Sequence, residues 1–231
     1  MKKRKAIETQ NQIQYDDYDH KGGVVLGPYT SHVWRDDPKH LTWMLARYKF
    51  CSKMLIGKKN IIEVGCGDSF GTAILLQTVE KVHAIDMEPL VIEENIKIIE
   101  YGNRCSYEVL DITAQHLEKK FDGAVSLDVI EHIPKDQERN FMMNIHKSLT
   151  ADAVFIIGTP NVTAQQYASP GSAAGHINLK SGEELRDLMS SLYQNVFSFS
   201  MNDEVVHTGF TPMAHYLFCM GVGKKNGDLY R

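Results

Sequence analysis

The sequence has 231 residues, enough for one domain whose core needs no disulfide or metal staple. Hydrophobic residues at 43% and charged residues at 23% exclude collagen-like, coiled-coil and wholly disordered classes. The 25 Lys and Arg against 29 Asp and Glu leave a net charge of −4, without the electrostatic footprint of non-specific nucleic-acid binding, and no apolar run reaches the roughly 18 residues of a membrane span.

Residues 1–35 divide into a polar stretch, read as a mobile arm to residue 23, and a short aromatic segment punctuated by Gly27-Pro28. The basic run Lys2-Lys3-Arg4-Lys5 reads as a solvated tail, because no apolar signal-peptide core follows it. A helix is predicted from Asp37, a suitable N-cap, with Pro38 at the first helical position and Leu41, Met44, Leu45, Tyr48, Met54 and Leu55 on its apolar face. Strands are predicted over 60–64, 82–86, 105–110, 121–127, 153–158, 196–201 and 216–222. Helices are predicted over 71–80, 89–101, 136–149 and 181–193, the last with Ser181 and Glu184 in capping-box spacing. This alternation predicts an α/β three-layer sandwich: a seven-stranded, mostly parallel sheet, its last strand antiparallel, with helices on both faces. The last two strands, with no helix between them, read as an antiparallel hairpin at one edge. The core domain spans 36–223, and 224–231 is a polar tail. Cys51, Cys66, Cys105 and Cys219 form no C-x-x-C pair and read as reduced, mostly buried thiols of a cytoplasmic protein.

The most informative segment is Glu63-Val64-Gly65-Cys66-Gly67-Asp68-Ser69-Phe70-Gly71, between a strand and a helix. Its glycines let the backbone turn tightly and a ligand approach closely. The spacing G-x-G-x-x-x-G is one residue longer than the dinucleotide fingerprint, and Glu63 ill suits a pyrophosphate, so a nicotinamide dehydrogenase is disfavoured. A carboxylate there suits a ligand carrying an ammonium group. Asp86 closes the second strand, where a carboxylate accepts bonds from ribose hydroxyls. Asp111 closes the third, where an acid can take an exocyclic adenine amine while Ile112 or Met87 covers the ring. The bland alternative is that each Asp merely caps a turn or helix.

These residues, with Leu127-Asp128-Val129-Ile130-Glu131-His132-Ile133, resemble the seven-stranded Rossmann-like S-adenosylmethionine-dependent methyltransferases, most closely the branch acting on small molecules and sugars. The resemblance implies that Gly65, Cys66 and Gly67 pass close to the methionine part, with Glu63 reaching its amino group. Asp86 would hold the ribose and Asp111 the adenine amine, with Met87 or Ile112 over the ring, and the Leu127 and Asp128 backbone would bound the sulfonium. It also implies an antiparallel seventh strand between the fifth and sixth.

A sulfonium methyl is already electrophilic, so the protein must chiefly align a nucleophile and exclude water. A hydroxyl acceptor benefits from a base, for which His132, after the fourth strand, and His176, in a small-residue loop, are the leading candidates, with His207, between the last two strands, behind them. Asp128, Glu131 and the histidines carry ligand atoms, but without an H-x-H or H-x-x-x-H pair no metal is expected. Tyr29, His32 and Trp34 read as a lid or a packed strap; Arg35 and Arg47 would either hold an acceptor's anionic group or pair with neighbouring acids. The expected activity is methyl transfer from S-adenosyl-L-methionine, leaving S-adenosyl-L-homocysteine, to an oxygen (less readily a nitrogen) of a small polar acceptor such as a sugar derivative. A protein side-chain methyltransferase and a non-catalytic S-adenosylmethionine-binding module are the alternatives. No nucleic-acid or membrane partner is expected, and the sequence does not choose between monomer and homodimer.

Overall fold

The computed structural model describes residues 4–98 and 101–225. Five strands run parallel or nearly so through the first part of the chain: β1 (Asn60–Val64), β2 (Lys81–Asp86), β3 (Cys105–Val109), β4 (Phe121–Leu127) and β5 (Leu149–Pro160). Three more, β6 (Tyr193–Asn202), β7 (Val205–His207) and β8 (Tyr216–Lys224), complete one sheet in the order β3-β2-β1-β4-β5-β8-β6-β7. Strand β8 pairs antiparallel with both β5 and β6, so it sits between the fifth and sixth strands as the resemblance implies. The sheet has eight strands rather than seven. The extra one, β7, is a three-residue edge strand folded back on β6, too short to leave a period in the sequence.

The helices are α1 (Gln12–Lys21), α2 (Pro28–Asp36), α3 (Lys39–Met54), α4 (Thr72–Leu75), α5 (Pro89–Ile98), α6 (Glu138–Lys147), α7 (Pro170–Gly175) and α8 (Gly182–Leu192). Strand β1 buries Ile61, Ile62, Glu63 and Val64 in succession, because both faces of a parallel sheet are covered. On one face Ile62, Val64 and Phe155 pack with Phe141, Met142 and Ile145 of α6 and Leu185, Met189 and Leu192 of α8. On the other, Ile61, Val125, Ile156 and Phe218 pack with Cys51 of α3, Leu55, Leu75 of α4 and Ile92 of α5. Each fully buried aliphatic side chain contributes about 1.5–3 kcal/mol, so these two layers hold the strand ends in register.

Several expectations need correction. The polar N-terminal stretch contains α1, which buries none of its residues; Lys21 pairs with Asp17 one turn back and Gln12 bonds Asp16, local pairs that need no hydrophobic period. The aromatic segment is helix α2, with Pro28 in its first turn. Pro38 bars Asp37 from helical geometry, so α2 ends there, and Pro38 rather than Asp37 occupies the N-cap of α3. The helix expected over 71–80 lasts only through α4. The Thr78 hydroxyl bonds Ser52 O, and the Gly57 N–H bonds Thr78 O, which draws the chain into turns. Helix α5 is described to Ile98; residues 99–100 of the expected helix lie outside the described residues, as do 226–231 of the tail. Helix α8 keeps its capping box. All four cysteines are free, and Cys51, Cys66 and Cys219 are buried.

Candidate functional site

Parallel strands end on one rim, and their connections build a cavity there. Gly65 (φ +72°) and Gly67 (φ +49°) turn the chain out of β1, in a region where a Cβ is strained. The N–H groups of Gly65 and Cys66 both donate to Ile85 O, and a Cβ at Gly65 would lie 2.3 Å from Val129 Cγ2. The Asp86 carboxylate fixes the same turn from the next strand. Its Oδ2 accepts the Gly67 N–H and its Oδ1 the Glu88 N–H, each at 3.0 Å. Asn95 of α5 donates to Gly67 O at 2.7 Å. Beyond the turn, the Asp68 side chain accepts the Thr30 N–H in the first turn of α2, an acid at a helix N-terminus.

The cavity is about 490 Å³, a volume that fits a nucleoside with a tail. Its wall includes Gly65, Cys66, Gly67, Asp86, Met87, Asp111, Ile112, Leu127 and Asp128, with Tyr29 and His132. Of the three acids expected to converge, Asp86 and Asp111 line the cavity and Glu63 does not. Asp111 also makes a local turn, its Oδ1 accepting the N–H and hydroxyl of Thr113 at 2.8 and 2.7 Å. The other expected residues lie off the wall. His32 is exposed and Trp34 is 59% exposed, because α2 turns them outward and presents Tyr29 and Thr30 instead. Glu63, 1% exposed, sits behind the glycine turn, where Tyr48 and Thr72 hydroxyls donate to its two oxygens at 2.8 and 2.6 Å. His176 stands behind His132, edge to face at 5.1 Å. The loop that carries it, expected to be irregular, folds into α7, capped by Ser169.

Two residues of α3 matter more than their pattern indicates. Tyr48, read as part of an apolar face, lines the cavity and holds Glu63. Arg47 is buried rather than free to hold an anion: Nη1 donates to Asp128 Oδ2 at 2.7 Å and its guanidinium lies 3.8 Å over the Tyr216 ring. Asp128 itself is in the left-handed region (φ +57°), so this ion pair fixes the chain where β4 meets the cavity. The only sequence signal was Arg47's place on a helix otherwise burying Leu41 and Cys51.

Burial pushes Glu63 up to about 7, and the bonds from Thr72 and Tyr48 offset this only in part. In the unfolded chain the group ionises near about 4.3. Between those limits the folded form holds a proton that the unfolded form has lost. Its stabilising contribution is complete below the unfolded value and is lost as pH rises through about 7. Glu63→Gln, neutral throughout, is expected to remove a decline of about 3 kcal/mol over that window. Denaturant unfolding at pH 5 and pH 8 measures it; the same pH dependence in parent and variant refutes the assignment. Burial, then the Asp128 charge, pushes Glu131 up to about 8.

A family profile described as a methyltransferase domain matches residues 33–192. The ubiquinone biosynthesis O-methyltransferase of Rickettsia typhi (strain ATCC VR-144 / Wilmington) is 32% identical over 117 residues, 48% of this chain and 45% of that protein. The chain thus spans about half the length of the curated relatives it matches. Among solved structures, the N-methyltransferase NodS from Bradyrhizobium japonicum WM9 in complex with S-adenosyl-L-homocysteine aligns with a TM-score of 0.59 at 17% identity, covering 82% of this chain and 91% of that one. An S-adenosylmethionine-dependent methyltransferase from Clostridium acetobutylicum ATCC 824 gives 0.64 at 12% identity, covering 84% and 97%. At such identities the likeness is one of fold.

Proposed function

This chain belongs to the methyltransferase-domain family, and from that premise we propose that it moves the methyl of S-adenosyl-L-methionine to an oxygen of a small polar acceptor. The observation that carries the reading is the single cavity bounded by the glycine turn, Asp86, Asp111 and the Leu127-Asp128 connection. The Rickettsia relatives' names supply the preference for oxygen.

S-adenosylmethionine supplies an electrophilic methyl on a sulfonium sulfur. The chain's own groups bind and orient it. The Gly65–Gly67 backbone, free of side chains, lets the amino-acid tail approach. Asp86 accepts the ribose hydroxyls while keeping Gly67 in place. The free oxygen of Asp111 takes the adenine amine, and Met87 and Ile112 flank the ring. Glu63 is a positioning residue, acting through Tyr48 and Thr72. The Leu127-Asp128 backbone, braced by Arg47, borders the methyl. Tyr29 closes the cavity from α2. The acceptor's hydroxyl is activated at His132, which lies on the cavity wall with Asp128 and is backed by His176. The acceptor lies among α2, residues 160–180 and the segment before β8; Asn161 Nδ2 joins the latter two through Thr211 O and Ala214 O, both at 2.8 Å. Among the described residues no helix is long and apolar enough to cross a membrane.

Calorimetric titration with S-adenosylhomocysteine is expected to give one site per chain, and tritium from labelled methyl donor is expected to appear on the oxygen of a small hydroxylated acceptor. Absence of binding refutes the reading. Binding with label retained on the donor across small acceptors favours a non-catalytic module, and label on protein favours side-chain methylation.

A further inference from the structure

We propose that Glu131, His132 and His176 bind a first-row divalent cation beside the cavity. The inference rests on the methyl-transfer reading only in assigning that cation to the acceptor's end. The three residues each offer a ligand atom, and these atoms lie within 4.8 Å of one another. Opposite ligands around such a cation, each at about 2.1 Å, stand about 4.2 Å apart, so a small closing movement completes the site.

Glu131 and His132 are each anchored through one atom and leave another free. Glu131 is fully buried; its Oε2 accepts the Thr159 hydroxyl at 3.0 Å, while its Oε1 has no partner among the described residues. His132 uses Nδ1 on Gly175 O at 2.9 Å. A carbonyl only accepts, so that nitrogen carries the proton and Nε2 presents a lone pair. The Nδ1 of His176 is buried and likewise without a partner among the described residues. Metal-bound histidines ordinarily donate their other N–H to a carbonyl or carboxylate, and ligating carboxylates are themselves hydrogen-bonded.

The frame is closed as well. Glu131 O accepts the N–H groups of Ile177 and Asn178, both at 2.9 Å, which stitches the His176 loop to the turn bearing the other two ligands. A buried carboxylate oxygen without a partner is costly, and the neighbouring cation Arg47 is already committed to Asp128. Two imidazoles and one carboxylate suit manganese, iron, cobalt, nickel or zinc better than magnesium or calcium, which prefer oxygen shells. Three protein ligands leave positions for other oxygens, and His132 is itself on the cavity wall. An acceptor hydroxyl held there is more acidic and passes its proton to solvent water as the methyl leaves sulfur, so the imidazoles act as ligands rather than as proton acceptors. The expectation of no metal rested on the absence of paired histidines close in sequence. The ligands come instead from a turn and a distant loop.

The chain, freed of metal by a chelator and dialysed, is titrated with Mn²⁺ and followed by loss of the free-ion paramagnetic resonance signal. It is also titrated with Co²⁺ and followed by visible absorption. One ion per chain is expected, not displaced by equimolar Ca²⁺, with affinity roughly tenfold or more weaker in Glu131→Gln, His132→Gln and His176→Gln. His132 is exposed and His176 only half-buried, so both histidine variants keep the fold even where Glu131→Gln does not. No binding by the parent, or parental affinity in both histidine variants, overturns the site. Titration with S-adenosylhomocysteine on the same samples separates the two readings: its failure refutes the methyl-transfer reading and leaves the cation result standing.

Discussion

Replacing Arg47 with Ala is expected to lower the melting temperature by roughly 10 °C. The guanidinium is buried, paired with Asp128 at 2.7 Å and stacked on Tyr216. Removing one partner of a buried ion pair costs about 3–5 kcal/mol, because the other is left uncompensated. Two observations place the expected value at about 3 kcal/mol, the low end. The Asp128 side chain keeps 36% of its exposure, and Arg47 Nε has no hydrogen-bond partner among the described residues. For a chain of this size each kcal/mol shifts the melting point by about 2–4 °C. Arg47→Met separates packing from charge. It refills the space over Tyr216 and recovers part of the stability, but it leaves Asp128 free to move. Cofactor affinity therefore falls in both variants, and melting within about 2 °C of the parent for Arg47→Ala rules out the bracing role.

Replacing Asp86 with Ala is expected to weaken S-adenosylhomocysteine binding about a hundredfold while leaving the fold intact. Hydrogen bonds to a charged acceptor contribute about 1.5–3 kcal/mol each, and two ribose hydroxyls lost at the lower figure give about 3 kcal/mol, or two decades of affinity. The variant also releases the Gly67 N–H, so the turn loses a clamp. Asp86→Asn keeps an acceptor for that N–H and is expected to fall between parent and Ala. Calorimetry on all three proteins makes the measurement, and unchanged affinity in Asp86→Ala removes Asp86 from the ligand.

The strands were legible because buried apolar runs leave a strong local signal. Strands β1 and β4 occupy their predicted spans, and the glycine turn, with the acids after β2 and β3, was readable from residue type and order. Orientation was not readable. Glu63 was expected to face the ligand, yet the hydroxyls of Tyr48 and Thr72 hold it behind the turn. His32 and Trp34 share an aromatic segment with Tyr29, but only the helical twist of α2 decides which one meets the cavity. Pairings between distant segments left no trace at all: Arg47 with Asp128, or His132 with the loop of His176, follow from packing that no local period encodes. Helix α1 escaped notice for the opposite reason, since it has no buried face to generate a period.

Strand β8 enters the sheet upside down, with Tyr216 opposite Pro160 at the end of β5. Its leading end therefore reaches the same rim as the trailing ends of β1 to β4, and the segment just before it, residues 208–215, is tied there by Asn161 through Thr211 O and Ala214 O. On the proposed reading the chain is bipartite along its length: the first half of the sheet would hold the methyl donor, and the inverted strand would carry a separate stretch of chain to the receiving side.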